Sequence, residues 1–160
     1  INNDESYIKA QFALCNVLFS QQKFDESKEK LINIIQDDSS YIKAYELLVN
    51  IFIELKDYNK AREYSDKGLQ VSKKSYVLYS QLAILDNESK EYLTAIENSD
   101  KALSVKRNYG PALLELAKSN VYLCNKVNAD DAFKRAKSYN RQQVNQLKEW
   151  ATAHYKTFCK

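Results

Sequence analysis

The sequence predicts an all-α fold, and three observations predict it. Of 160 residues only 2 are Gly and 1 is Pro, which leaves little room for sheets joined by tight turns. Apolar residues recur three and four positions apart, the period of one helix face. These stripes themselves repeat every thirty-four residues, and a repeat of that length marks a stack of helical hairpins. The stretch KAYELLVNIFIELKDYNKAREYSDKGLQ, from Lys43 to Gln70, shows the unit. Ala44, Tyr45, Leu48, Val49 and Phe52 draw the first stripe. After a polar break at Lys56 and Asp57, a second stripe runs through Tyr58, Ala61, Ser65, Gly68 and Leu69, with small residues where two helices approach.

Taken in order, the chain opens on a polar stretch, Ile1 to Ser6, expected to fray, with Glu5 or Ser6 as a cap. A helix over 7–21 follows, with Ala10, Gln11, Leu14, Cys15 and Leu18 facing inward. Its partner, over 24–36, carries Ser27, Leu31, Ile34 and Ile35. Asp37, Asp38, Ser39 and Ser40 make the next turn and offer side-chain oxygens to cap the following helix. Beyond the Lys43–Gln70 unit, a third begins with Tyr79, Leu82 and Ala83. Asp86 stands there where Leu18 and Phe52 stand in earlier units, so the helix either ends early or presents a carboxylate on a surface. Its second helix resumes at Tyr92, with Ala95, Ser99, Ala102 and Leu103. A fourth unit opens on Asn108-Tyr109-Gly110-Pro111, and proline suits the first turn of a helix. Ala112, Leu113, Leu116 and Ala117 follow, then Ala129, Phe133 and Ala136. Residues 141–160 repeat the first-helix pattern once more through Leu147, Trp150 and Ala151, with no second helix after them. A polar-backed helix there closes the open end of the stack, unless the chain continues as a fifth repeat.

Composition bounds the function. At 28% charged residues and a mean hydropathy of -0.58, no apolar run approaches the roughly 20 residues that span a bilayer. No secretory leader is visible, although the chain opens on Ile1 and reads as a piece of a longer protein. Cys15, Cys124 and Cys159 show neither a pair nor a metal-type spacing, so a reducing, cytoplasmic compartment is expected over a disulfide framework. The net charge of +3 is unevenly spread: residues 1–105 hold 13 basic and 17 acidic side chains, residues 106–160 hold 11 and 4. Such a bias can steer an acidic partner toward the C-terminal part, and more often it is a solvated face.

The columns formed by the repetition resemble the tetratricopeptide repeat (TPR) family, across nearly the whole chain. Leu14, Leu48, Leu82 and Leu116 form its leucine column. Cys15, Val49, Ala83 and Ala117 form its small column, and Ser27, Ala61, Ala95 and Ala129 its alanine column. The family's closing proline is missing, with Ser39, Lys73, Arg107 and Arg141 in its place. The resemblance implies one domain of four repeats, over about 8–41, 42–75, 76–109 and 110–140, and a capping helix over 141–158. It implies a right-handed superhelical α-solenoid of antiparallel hairpins whose first helices line a concave groove, where the family holds a peptide or partner helix. By that analogy the groove presents Lys9, Phe12, Asn16 and Phe19, then Lys43, Glu46, Asn50 and Ile53. The series continues with Val77, Ser80, Ile84 and Asn87, then Leu114, Lys118 and Tyr122. Asn16 and Asn50 stand at equivalent places, and an asparagine can donate and accept toward one peptide unit; as ordinary solvated polar residues they would do neither.

One subtype is excluded by its own chemistry. Receptors for chaperone C-terminal tails use a Lys, Asn, Asn, Lys, Arg carboxylate clamp. Here those places hold Phe12, Asn16, Leu47, Val77 and Gln81, or one repeat along Glu46, Asn50, Gln81, Pro111 and Glu115. Neither set offers the cations that pair a carboxylate.

Catalytic chemistry is not expected. His154 is the lone histidine, in the last helix, and reads as surface or packing. Cys15 reads as a buried thiol and Cys159 as exposed and oxidisable. No phosphate loop, His-Glu metal pair or serine elbow occurs, and no cofactor or metal is implied. The leading reading is a non-catalytic scaffold that binds a protein or peptide. A small secretion or assembly chaperone is the alternative, and self-association stays open. Nucleic-acid binding through Lys134, Arg135, Lys137 and Arg141 is the minor reading.

Overall fold

The computed structural model describes residues 5–159. Ile1 to Asp4, most of the stretch expected to fray, and Lys160 lie outside them. Among the described residues are nine α-helices and no strand: α1 Glu5–Ser20, α2 Phe24–Asp37, α3 Ile42–Glu54, α4 Tyr58–Val71, α5 Tyr76–Glu88, α6 Tyr92–Val105, α7 Gly110–Tyr122, α8 Lys126–Ala136 and α9 Arg141–Phe158. Glu5 and Ser6 are the first two residues of α1 and do not stand before it as caps. The helices fall into two compact units, one up to Lys73 and one from Lys74.

In the first unit α1 packs on α2 and α3, and α3 on α2 and α4. The small columns sit at the crossings. Cys15, Val49 and Ala61 are fully buried, and so is Ser27, whose hydroxyl donates to the Cys15 carbonyl at 3.0 Å. In the second unit α5 packs on α6 and α7, α6 on α7, α7 on α8 and α9, and α8 on α9. Its core joins Leu113, Ala117, Val121, Ala129, Phe133 and Ala136, closed by Val144 and Ala151 of α9. Burying Leu113, Val121, Phe133 or Val144 contributes roughly 1.5–3 kcal/mol each.

The four turns inside the hairpins share one geometry. Gln22, Lys56, Lys90 and Cys124 all have positive φ, between 57° and 63°, and stand thirty-four residues apart. Around each, one backbone N–H reaches back to close the helix: Lys23 to the Leu18 carbonyl, Asp57 to Phe52, Glu91 to Asp86 and Asn125 to Asn120, at 2.8–2.9 Å. This is the Schellman closure, which satisfies carbonyls that a helix end leaves open. No glycine holds any of the four left-handed positions, so each carries a steric cost of about 1–2 kcal/mol.

Several expectations are corrected. α5 has 13 residues, like α3 and α7, so Asp86 does not shorten it. Nor does its carboxyl line a surface: Asp86 is 0% exposed and accepts a 2.7 Å bond from Asn98 Nδ2 on α6. Leu14 is 45% exposed, because no described helix covers that side of α1, whereas Leu48 and Leu82 are buried. Asp38 does not cap α3. Its Oδ1 accepts from the backbone and hydroxyl of Ser40 in a local turn, while Tyr41 holds the cap position without a side-chain bond. Cys124 and Cys159 are joined as a disulfide with Cα atoms 5.5 Å apart, against the expectation that no cysteines pair. Gly110, first residue of α7, lies under the Tyr139 ring, which a Cβ there would overlap.

Candidate interaction surfaces

On the first unit the predicted row divides by exposure. Lys9, Asn16 and Lys43 are exposed, while Phe12, Phe19, Glu46, Asn50 and Ile53 are half-buried. Lys9 pairs with Glu5 across one helical turn at 2.8 Å. Phe12 meets the Tyr41 ring edge-on at 5.4 Å, and Phe19 leans on Phe24 at 5.6 Å. Asn16 donates through Nδ2 to the Phe12 carbonyl at 2.9 Å. One amide hydrogen and the amide oxygen thus remain to meet a peptide unit. On the α1–α2 side, Tyr7, Gln11, Leu14, Lys30 and Asn33 border a broad hollow of about 520 Å³. No position of the predicted row lines it.

On the second unit the row is built differently. Ser80 and Leu114, predicted to project, are only 2% and 3% exposed and offer nothing to a ligand. Val77, Ile84, Asn87 and Lys118 are half-buried. Tyr122 is 40% exposed; it stands one residue beyond the true register position, Val121, which is buried. Asn87 is spent on a network between α5 and α7. Its Nδ2 donates to the Glu115 carbonyl at 3.2 Å and to Glu115 Oε2 at 3.0 Å, while its Oδ1 accepts from the Ser119 hydroxyl at 2.7 Å. Lys118 Nζ donates to Glu115 Oε1 at 2.7 Å. The Glu115 side chain is only 8% exposed, so these two donors compensate a carboxylate held largely out of water.

Beside this network lies a cavity of about 260 Å³, lined by Asn87, Glu88, Glu115, Lys118, Tyr122, Leu147 and Trp150. Tyr122 stacks on Tyr92 with ring centroids 4.5 Å apart and meets the edge of Trp150 at 5.2 Å. Three helices, α5, α7 and α9, supply the walls. Of these residues the analogy found Asn87, Lys118 and Tyr122. It missed Glu88, Glu115, Leu147 and Trp150. Glu115 shares a column with Gln81, and two successive polar residues in an inward column were the available signal.

The remaining candidates are accounted for by packing. His154 is wedged among Tyr122, Trp150 and Phe158. The Cys15 thiol is fully buried, and that burial pushes its pKa up. Among the described residues no cluster of His, Cys, Asp and Glu could hold a metal ion, and no helix is long and apolar enough to cross a membrane.

No protein-family model matches the sequence, and no curated protein matches it significantly. Solved structures do. One is the MamA protein, with a TM-score of 0.68 at 15% identity over 93% of this chain and 88% of that one. YrrB, described as a TPR protein with an unusual peptide-binding site, gives 0.69 at 13% identity over 91% and 76%. The first TPR of Spaghetti (RPAP3), solved with the HSP90 peptide SRMEEVD, gives 0.70 at 18% identity over 78% and 98%. At such identities the likeness is one of fold.

Proposed function

We propose that this chain, which has the tetratricopeptide-repeat fold, is a non-catalytic interaction module of four repeats and a closing helix that binds a segment of a partner polypeptide along its first helices. One observation carries the reading. The polar and aromatic residues of α5, α7 and α9 converge on a single cavity, and the network of Asn87, Glu115, Lys118 and Ser119 fixes their positions before any ligand arrives. Preorganised walls lower the entropic cost of holding a flexible segment. Two of the similar folds, YrrB and the RPAP3 repeat, are described with a peptide site or a bound peptide, which favours the same use here. The chaperone-tail clamp is not part of the proposal, because the cations it needs are missing. Arg135, one of the basic residues weighed for nucleic acid, is engaged by Asp131 and the Arg107 carbonyl.

A peptide-array screen of the wild-type chain tests this reading. Peptides are expected to bind, and the Asn16→Ala/Asn50→Ala and Tyr122→Ala/Trp150→Ala variants to lose subsets of them. Undiminished binding of every peptide by both folded variants would remove the first helices as the contact surface.

A further inference from the structure

We propose that the second unit carries a separate carboxylate-binding cavity between α8 and α9, built for an acidic side chain of a partner polypeptide. The cavity measures about 240 Å³. α9 divides its faces between the two sites: Leu147 and Trp150 border the cavity described above, whereas Lys148, Ala151 and Tyr155 border this one. Its floor is apolar, made by Phe133 and Ala151, 1% and 3% exposed, and by the Tyr155 ring.

Three lysines border the cavity, Lys126, Lys148 and Lys156. None forms an ion pair among the described residues. Lys148 Nζ rests 5.9 Å over the Phe133 ring. A single carboxyl, Asp130, opposes them in the lining, so the cavity keeps an excess of positive charge. An anion entering it relieves the repulsion among the lysines. The Tyr155 hydroxyl is buried and has no hydrogen-bond partner, so the ring and not the hydroxyl faces the cavity. Burial first, and the Asp130 charge second, push the Tyr155 pKa up and keep its proton in place. Thr152 is not a donor here, because its hydroxyl is given to the Lys148 carbonyl at 2.9 Å.

The apolar floor selects among anions. Bare phosphate would leave the half-buried Tyr155 ring uncovered, whereas a carboxylate on a methylene stem covers it while its oxygens meet the lysines. Longer-range charge agrees, since residues 106–160 carry 11 basic and 4 acidic side chains. The disulfide shapes the same site: Cys124 precedes Lys126 by two residues and Cys159 follows Lys156 by three, so the bond ties the turn before α8 to the end of α9.

This inference rests on the reading of the chain as an interaction module but uses a different surface. The test is an amide-shift titration of the ¹⁵N-labelled, oxidised chain with acetyl-Gly-Leu-Glu-Glu-Leu-Gly-amide, its Gln-Gln counterpart and inorganic phosphate. Saturable shifts at Phe133, Thr152 and Lys156 are expected with the glutamate peptide, with the glutamine peptide and the Lys148→Gln/Lys156→Gln variant each weaker by about ten-fold. Both lysines are exposed, so the variant keeps its fold. The Asn16→Ala/Asn50→Ala variant is expected to leave these shifts unchanged, so failure of the first-helix surface and failure of this one are read separately. Equal binding of the two peptides, shifts with phosphate but not with the glutamate peptide, or no shift at α8 and α9 at millimolar peptide would overturn the proposal.

Discussion

Phe52 and Asp86 occupy the same place in successive repeats, and so do their partners, Tyr64 and Asn98. In the first unit the pair is an aromatic stack, with ring centroids 5.4 Å apart. In the second it is a buried hydrogen bond of 2.7 Å. The helices that carry them have equal lengths, and the turn that follows closes in the same way. The difference continues along each helix. α3 buries only Ala44, Tyr45, Leu48, Val49, Ile51 and Phe52, whereas α5 buries Ser80, Gln81 and Asp86 among its leucines, and α7 buries Glu115, Ser119 and Asn120. One backbone geometry therefore accepts either filling. An apolar filling is tolerant of where each group lies, while a hydrogen-bonded pair such as Asp86 and Asn98 holds both partners in place. The unit with the polar filling is the one that shapes both smaller cavities.

The most severe way to break this comparison is to move the polar group without its partner. Phe52→Asp places a carboxyl opposite Tyr64 with no amide to meet it. A loss of about 5 kcal/mol is expected from the lost packing and the uncompensated group together, read as unfolding of the first unit in a denaturant titration. Adding Tyr64→Asn should return part of that stability. Next in size is the disulfide, which the first unit lacks. Its thirty-five-residue separation corresponds to about 3–4 kcal/mol in the loop-entropy model. Reduction, or Cys124→Ser/Cys159→Ser, should lower the melting transition of the second unit and leave that of the first unmoved. Native thiol labelling should detect no reactive group before reduction and two after it, because Cys15 is buried.

Asn98→Ala removes one donor from the buried Asp86 carboxyl and is expected to cost about 2–3 kcal/mol. Asp86→Phe/Asn98→Tyr, which writes the first unit's pair into the second, should be nearly neutral. The smallest effect is a gain. Lys56→Gly relieves a left-handed residue in one turn, and the greater freedom of glycine in the unfolded chain offsets part of that. A net stabilisation of about 0.5–1 kcal/mol is expected, measurable as a shift in denaturation midpoint.

These pairs also show what could be read from the residues alone. The thirty-four-residue period located every hairpin, because small residues at the crossings and leucines behind them repeat in the sequence itself. Asp86 was visible as a break in the apolar stripe. Its outcome depended on Asn98, twelve residues away on another helix, and a stripe records only one helix at a time. Leu14 fits its column perfectly, yet burial of that column needs a helix on its outer side, which no local pattern reports. The disulfide was hidden for a related reason. A gap of about one repeat brings two residues to neighbouring levels of the stack, but only the packing of α9 on α7 and α8 turns that gap into contact. Glycine scarcity was read correctly as helix, while the same scarcity concealed the left-handed turns, which here use Gln, Lys and Cys. Of the predicted groove row, Ser80 and Leu114 were misplaced because a partner helix covers them.

The central claim is that the first helices α1, α3, α5 and α7, and not α2, α4 and α6, meet a polypeptide bound at the predicted row. Hydrogen exchange of the full chain, with and without a peptide recovered from the array, tests it most directly. The account predicts new protection in the first helices of the unit that holds the peptide, α1 and α3 or α5 and α7, with α2, α4 and α6 unchanged. Protection confined to α2, α4 and α6, with none on the first helices, would contradict it.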